Sequence, residues 1–229
     1  MDHRPWAELL ADVSDGWSVD YRAVRADRGR LDRYLDTLGH ANPDALAADE
    51  QLAFWINAYN ALVFRLVVDN RPAVSVLEVP GAFTRRQFRI GGRGLTADQI
   101  EHGIVRRLGD HTVHFGLNCA SVGCPPLAAY DGGGVRDQLA ANGRRYLADP
   151  GRGARADGDR LMLSMVFRWF AGDFAPLPGV PSSLSTVAGI VRPRRVLRAA
   201  RAYLPTGLGD QRALGFIAWN WSVNAIARS

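Results

Sequence analysis

Apolar residues recur at helical spacing along the first third of the chain. Pro5 to Val13 and Tyr21 to Leu38 each carry an apolar stripe, the second through Val24, Leu31, Tyr34, Leu35 and Leu38. They predict a helical lead-in over residues 1–44. Asn42-Pro43-Asp44 reads as a cap followed by proline at the first helical position, which opens a long helix reaching about Asn70. On that helix Leu52, Trp55, Tyr59, Leu62 and Leu66 form one stripe, and Ile56, Val63 and Val67 widen it. Little of the circumference is left polar, so the helix is predicted to be buried.

Beyond residue 86 the pattern changes. Gln87-Phe-Arg-Ile90, Gly91-Gly92 and Arg93-Gly-Leu95 have the alternation and turn of a β-hairpin, and Thr96 with Gln99 makes a capping box for a helix from Ala97 to Leu108. Val113 to Leu117 reads as a short strand, Val135 to Leu147 as a helix, Gly151 to Gly158 as a loop, and Arg160 to Ser164 as a strand leading into Met165 to Phe170. Helices resume from Ser183, with Pro193 interrupting, and Leu214 to Ile226 reads as a closing strand. No repeat or linker is visible, so residues 1–229 are expected to form a single domain. The fold class is α+β: a small, mainly antiparallel sheet carrying Val113 to Leu117 packs against the long buried helix, with further helices around it.

Composition narrows the function classes. The 229 residues, 47% of them hydrophobic, suffice for a substantial core. The net charge of +5 comes entirely from arginine, interspersed with Asp and Glu. Clusters such as Arg192-Pro-Arg-Arg195 are short and poor in aromatics, so nucleic acid is not an expected partner. The absence of lysine excludes Schiff-base aldolases, lysine-held pyridoxal phosphate and P-loop nucleotide hydrolysis. The most apolar stretch, Leu52 to Val68, is broken by Asn57, Asn60 and Arg65, and the N-terminus lacks the pattern of a secretory signal. A cytoplasmic protein with no membrane partner is expected, its two cysteines kept reduced.

Candidate chemistry centres on Cys119, in His114-Phe-Gly-Leu-Asn-Cys119-Ala-Ser-Val-Gly-Cys124-Pro-Pro. Placed directly after a predicted strand and before the small residues Ala120 and Ser121, it suits a nucleophile whose pKa backbone N–H groups lower. Cys124 precedes two prolines that remove N–H donors, and is expected to be a buried support. His114 shares the predicted strand, although strict alternation would put it on the opposite face from Cys119. His102 lies on the Ala97 to Leu108 helix one turn after Asp98, a spacing that lets the carboxylate orient the imidazole, and Glu101 adjoins it. Asn57 and Asn60 sit on the apolar helix and need buried partners. Asn57 is a candidate oxyanion donor beside Cys119, or else a tie to a neighbouring loop.

Phe54-Trp-Ile-Asn-Ala-Tyr-Asn60, Leu95-Thr-Ala-Asp-Gln-Ile-Glu-His102, His114 to Leu127, Phe167-Arg-Trp-Phe170 and Trp219-Asn-Trp-Ser-Val-Asn224 together resemble the domain-of-unknown-function family 547, over about residues 52–224. The resemblance implies that these blocks belong to one domain. Asn220 departs from it, standing where an aspartate is expected before Trp-Ser. A looser likeness is to papain and transglutaminase-like thiol enzymes. All five histidines precede Cys119, so it would require a permuted order, as in some relatives of cell-wall peptidases.

Acyl transfer is the leading expectation, as hydrolysis or transfer on an amide, thioester or ester of a small molecule or peptide. Cys119 would attack, His102 or His114 would move the proton, Cys119 N–H and an asparagine would hold the oxyanion, and no cofactor is needed. The alternatives are a zinc site built from Cys119, Cys124, His102 and His114, dithiol redox chemistry between the two cysteines, and an interaction module without catalysis.

Overall fold

The computed structural model describes residues 1–176, 193–211 and 213–226. The chain packs into two compact units, residues 1–139 with 221–229, and residues 140–220. Both mix helix with small sheets, and the α+β class holds.

In the first unit, α1 (Arg4–Val13), α2 (Tyr21–Ala26) and α3 (Arg28–His40) pack with α4 (Ala48–Asn70). The Tyr21 to Leu38 stripe is divided at Asp27, whose backbone leaves the helical region. Asp20 starts α2 by accepting the N–H groups of Arg22 and Ala23. The long helix is shorter at its start than its cap signal predicts. Pro43–Ala45 forms a separate 3₁₀ turn, Leu46 and Ala47 are extended, and α4 begins at Ala48. There the Glu50 carboxylate accepts the Ala47 N–H at 3.2 Å, a local cap that starts the helix five residues after Pro43.

Every residue of α4 from Leu52 to Val68 except Arg65 is buried. By length and composition alone α4 could cross a bilayer, a property it shares with core helices of packed domains. Arg65 faces outward and joins Asp69, Asp32 and Arg28 in a four-charge network that ties α3 to α4. Trp6 stacks on Tyr34 and meets Phe64 edge-on, with centroids 5.7 and 5.0 Å away, anchoring α1 to α3 and α4.

The hairpin forms as its sequence predicts. β1 (Phe88–Ile90) and β2 (Arg93–Leu95) pair antiparallel, with Gly91 and Gly92 at φ of 57° and 74°, the positive angles that a tight two-residue turn requires. The turn N–H groups bond the carbonyls of Leu38 and Gly39, so the hairpin also caps α3. Arg93 lies over the Trp55 ring at 5.2 Å, bringing this antiparallel pair against α4. After the Thr96–Gln99 capping box, a helical run covers α5 (Ala97–Ile100), a π-helical turn (Glu101–Val105) and α6 (Arg106–Leu108).

Val113 to Leu117 is not a strand. His111–Phe115 is a 3₁₀ turn, because the Asp110 carboxylate accepts both the N–H and the hydroxyl of Thr112 and curls the chain at once. A local cap overrides the β-propensity of Thr and Val.

α7 (Val135–Leu147) runs from the first unit into the second. The second unit contains β3 (Ala154–Asp157), β4 (Arg160–Ser164), α8 (Val166–Trp169), α9 (Ala171–Phe174), α10 (Pro193–Ala200) and β5 (Ala213–Ile217). β3 occupies part of the predicted Gly151 to Gly158 loop. Its Ala-Arg-Ala-Asp sequence carries little strand signal and is held by antiparallel pairing with β4, while β5 pairs with β4 in parallel. The expected helix start at Ser183 lies outside the described residues, and Pro193 stands at the first position of α10. β5 covers the beginning of the predicted closing strand. Its end, residues 222–226, instead forms isolated bridges to Ser75, Ser121 and Val19 in the first unit.

His3 provides a test of this packing. Its Nδ1 lies 2.7 Å from the Tyr34 hydroxyl, and burial pushes its pKa from 6.5 down to about 4. The folded state therefore prefers the neutral ring, and the associated stability is complete above pH 6.5 and is lost as the pH falls toward 4. His3→Gln is expected to flatten the stability profile in that window, by at most about 3 kcal/mol, measured by urea unfolding across pH.

Candidate functional site

The segment from Gly116 to Tyr130 has no regular secondary structure after its 3₁₀ turn and is held to α4 by two asparagines. Asn60 accepts the Asn118 N–H at 2.9 Å and donates to the Gly116 carbonyl at 2.9 Å. Asn57 does the same one turn away, accepting the Tyr130 N–H at 3.0 Å and donating to its carbonyl at 2.7 Å. Both amides are fully buried and satisfied. Asn57 is thus the tie to a loop, and its carbonyl and an N–H are committed to backbone rather than to a position beside Cys119.

Asn118 continues the scaffold. Its side chain donates to the Pro125 carbonyl at 2.8 Å and accepts the Ala120 N–H at 2.9 Å. The Ala120 carbonyl in turn accepts the Asn224 N–H at 3.0 Å. These bonds hold Ala120 at φ 63°, a left-handed conformation unusual for a residue with a Cβ. That turn folds the chain back so that the two cysteines meet.

Cys119 is half-buried and Cys124 buried, and their sulfurs are 2.8 Å apart. The Cys119 N–H donates to Cys124 Sγ at 3.0 Å, and Ser121 Oγ lies 3.2 Å from both sulfurs. Burial alone would raise the Cys124 pKa. The Cys119 thiol, the Ser121 hydroxyl and the N–H groups of Ser121 and Cys119 together outweigh it and hold Cys124 below the ordinary thiol range. Cys119 moves the other way: the hydrogen bond to Cys124, burial and the charge on Cys124 raise it well above that range, against the pull of Ser121. The two thiols are coupled through the hydrogen bond they share and titrate as a unit. The Cys119 N–H, one of the donors expected to favour Cys119, is aimed at the other sulfur.

Two buried tyrosines belong to this environment. The pKa of Tyr59, on α4, is raised by burial, then by Glu101, to which its hydroxyl bonds, and then by both cysteines. Glu101 thereby reaches the surroundings of the pair through Tyr59. The pKa of Tyr21 is raised by burial and then by Cys124 and Cys119, and its hydroxyl donates to Asn224 Oδ1 at 2.9 Å.

The two histidine candidates differ in their settings. His102 is exposed on the π-helical turn. Arg106 donates to its Nδ1 at 3.1 Å and Asp98 Oδ1 lies 3.5 Å from its Nε2, so the expected Asp98–His102 pairing is present and both ring nitrogens face groups of their own helix. His114 is 3% exposed, on the 3₁₀ turn instead of a strand, so the alternation rule that separated it from Cys119 does not apply. Among the described residues, no group of three or more His, Cys, Asp or Glu side chains is arranged to hold a metal ion.

Residues 43–147 match the family described as Protein of unknown function, DUF547, and support the family resemblance over that stretch. No curated protein and no solved structure matches the chain. The DUF547 stretch contains α4, the hairpin, the Ala97–Leu108 helical run and both cysteines. Tyr21 and Asn224, which complete the hydrogen bonding around the cysteine loop, come from outside it. Sequence reasoning overlooked Asn118, Ser121, Asn224, Tyr21 and Tyr59. For the asparagines a signal existed, since each interrupts an otherwise apolar block; the tyrosines were indistinguishable from core.

Two outcomes test the site. Cys124→Ala removes the charge and the hydrogen bond that raise the Cys119 pKa, so the midpoint of Cys119 alkylation by iodoacetamide should move to lower pH. Asn60→Leu and Asn57→Leu each orphan two buried backbone groups and should each cost about 2–5 kcal/mol in chemical denaturation. Asn60→Leu alone should also change the Cys119 labelling rate at a temperature where both variants remain folded.

Proposed function

We propose that the protein is a dithiol oxidoreductase in which Cys119 and Cys124 exchange two electrons with a disulfide carried by a small molecule or peptide. The 2.8 Å contact between the sulfurs carries this reading. A modest approach from there reaches the bond length of about 2.05 Å. The acyl-transfer reading has weaker support, because the Cys119 N–H expected at an oxyanion points to Cys124 Sγ and Asn57 is engaged with Tyr130.

Access selects Cys119 as the attacking sulfur, since Cys124 is 3% exposed. Passing its shared proton to Cys124 makes Cys119 the thiolate. That thiolate attacks one sulfur of the substrate, forming a mixed disulfide and expelling the other sulfur as a thiolate. The proton on Cys124 passes to this leaving group. The Cys124 thiolate then attacks Cys119 Sγ, the mixed disulfide breaks, and the second substrate thiolate departs. The protein disulfide formed accounts for the two electrons gained by the substrate, and the proton of the pair leaves with the first thiol. Ser121 and the Cys119 N–H stabilise the thiolate on Cys124 before each of its steps.

Equilibration in glutathione buffers, followed by acid quenching, alkylation and mass spectrometry, tests the proposal. One two-electron transition is expected, from two alkylated thiols to an intramolecular disulfide about 2 Da lighter than the reduced chain. Cys124→Ser should instead accumulate a stable glutathione adduct on Cys119. Two thiols that stay alkylatable from about −350 to −150 mV would overturn the reading. Catalytic turnover of a p-nitrophenyl ester through acylated Cys119 in such a protein would restore acyl transfer.

A further inference from the structure

The first unit holds a cavity of about 390 Å³ between α2, the end of α4 and residues 223–226. Its size is that of a small-molecule site. Three arginines line it, Arg22 and Arg25 on α2 and Arg71 immediately after α4. No carboxylate among the described residues pairs with any of the three. Nearby arginines behave differently: Arg28, Arg30 and Arg65 are all ion-paired, through Asp32, Asp12 and Asp69. The one carboxylate lining the cavity, Asp20, caps the N–H groups of Arg22 and Ala23. The lining therefore has an excess of two positive charges.

The remaining wall supplies an apolar surface, including Val67, Pro72 and Val223. Arg71 is held at φ 48° by its N–H bond to the Val67 carbonyl, at a helix-end position where glycine is favoured. A bulky cation thus occupies a place where backbone economy calls for no side chain.

We propose that this cavity binds a small organic dianion, a phosphate monoester or a dicarboxylate with a compact apolar group. Arg22, Arg25 and Arg71 hold its charge, for which the planar guanidinium fork is suited, and Val67 and Pro72 contact its apolar part. Arg22 and Arg71 are exposed, so affinity is moderate and falls with added salt. The proposal does not depend on the chemistry assigned to the cysteines.

Isothermal titration of the whole chain with phenyl phosphate and with phenylsuccinate, at fixed ionic strength, tests it. At least one probe is expected to saturate with a dissociation constant below about 1 mM, and the tighter one identifies the preferred anion. The triple variant Arg22→Gln, Arg25→Gln, Arg71→Gln should bind at least about tenfold more weakly, with an unliganded melting temperature within about 3 °C of the parent. Absence of saturation by either probe up to about 10 mM, or full retention of binding in the triple variant, would overturn the proposal.

Discussion

A buried helix that carries amides must find them partners, and the cysteine region depends on how α4 meets that demand. Asn57 and Asn60 lie where water does not reach, on a helix whose own backbone bonds are already closed. The loop from Gly116 to Tyr130 has the complementary difficulty of buried backbone groups without a sheet ladder. Each solves the other's problem through four hydrogen bonds, and the loop is pressed along α4 as a result. Replacing either amide with an apolar group would strand two backbone groups of the loop, so the two elements specify each other.

The thiol pair inherits its geometry from that arrangement. Asn118 is fixed by Asn60, it fixes Ala120, and the left-handed turn at Ala120 brings Cys119 to Cys124. Two groups that would both be neutral thiols in an apolar interior are instead arranged so that one negative charge is solvated by protein donors. Burial and nearby negative charge keep the phenols of Tyr21 and Tyr59 protonated. The electrostatic character of the site therefore arises from hydroxyls and backbone more than from charged side chains.

Much of the scaffold was legible in the sequence because its signals are local and mutually consistent. The buried stripe of α4, the Gly91-Gly92 hairpin and the Thr96–Gln99 box each arise within a few residues, and each forms. The strand expected at Val113 to Leu117 failed for an equally local reason, the Asp110 cap that starts a 3₁₀ turn. The segment carrying Cys119 could be identified from its motif, but the direction of charge within the pair could not. That direction depends on how the Cys119 thiol, Ser121 and the Cys119 N–H meet Cys124, and they are gathered by a turn at an alanine, a residue without a left-handed signature. β3 was missed because its strand state comes from a partner rather than from its own residues.

The bonds that close around Ala120 join parts of the chain made far apart in time. Asn224 bonds Ala120 and Tyr21, so the cysteine loop lacks these supports until about a hundred residues after Cys124 have been synthesised. At about 5–20 residues per second, a ribosome leaves the thiols in an incomplete setting for several seconds. Nascent Cys119 and Cys124 would then behave as ordinary peptide thiols, open to oxidants or chaperones. The surroundings of the pair are completed only when residues 223–225 bridge Val19 and Ser121.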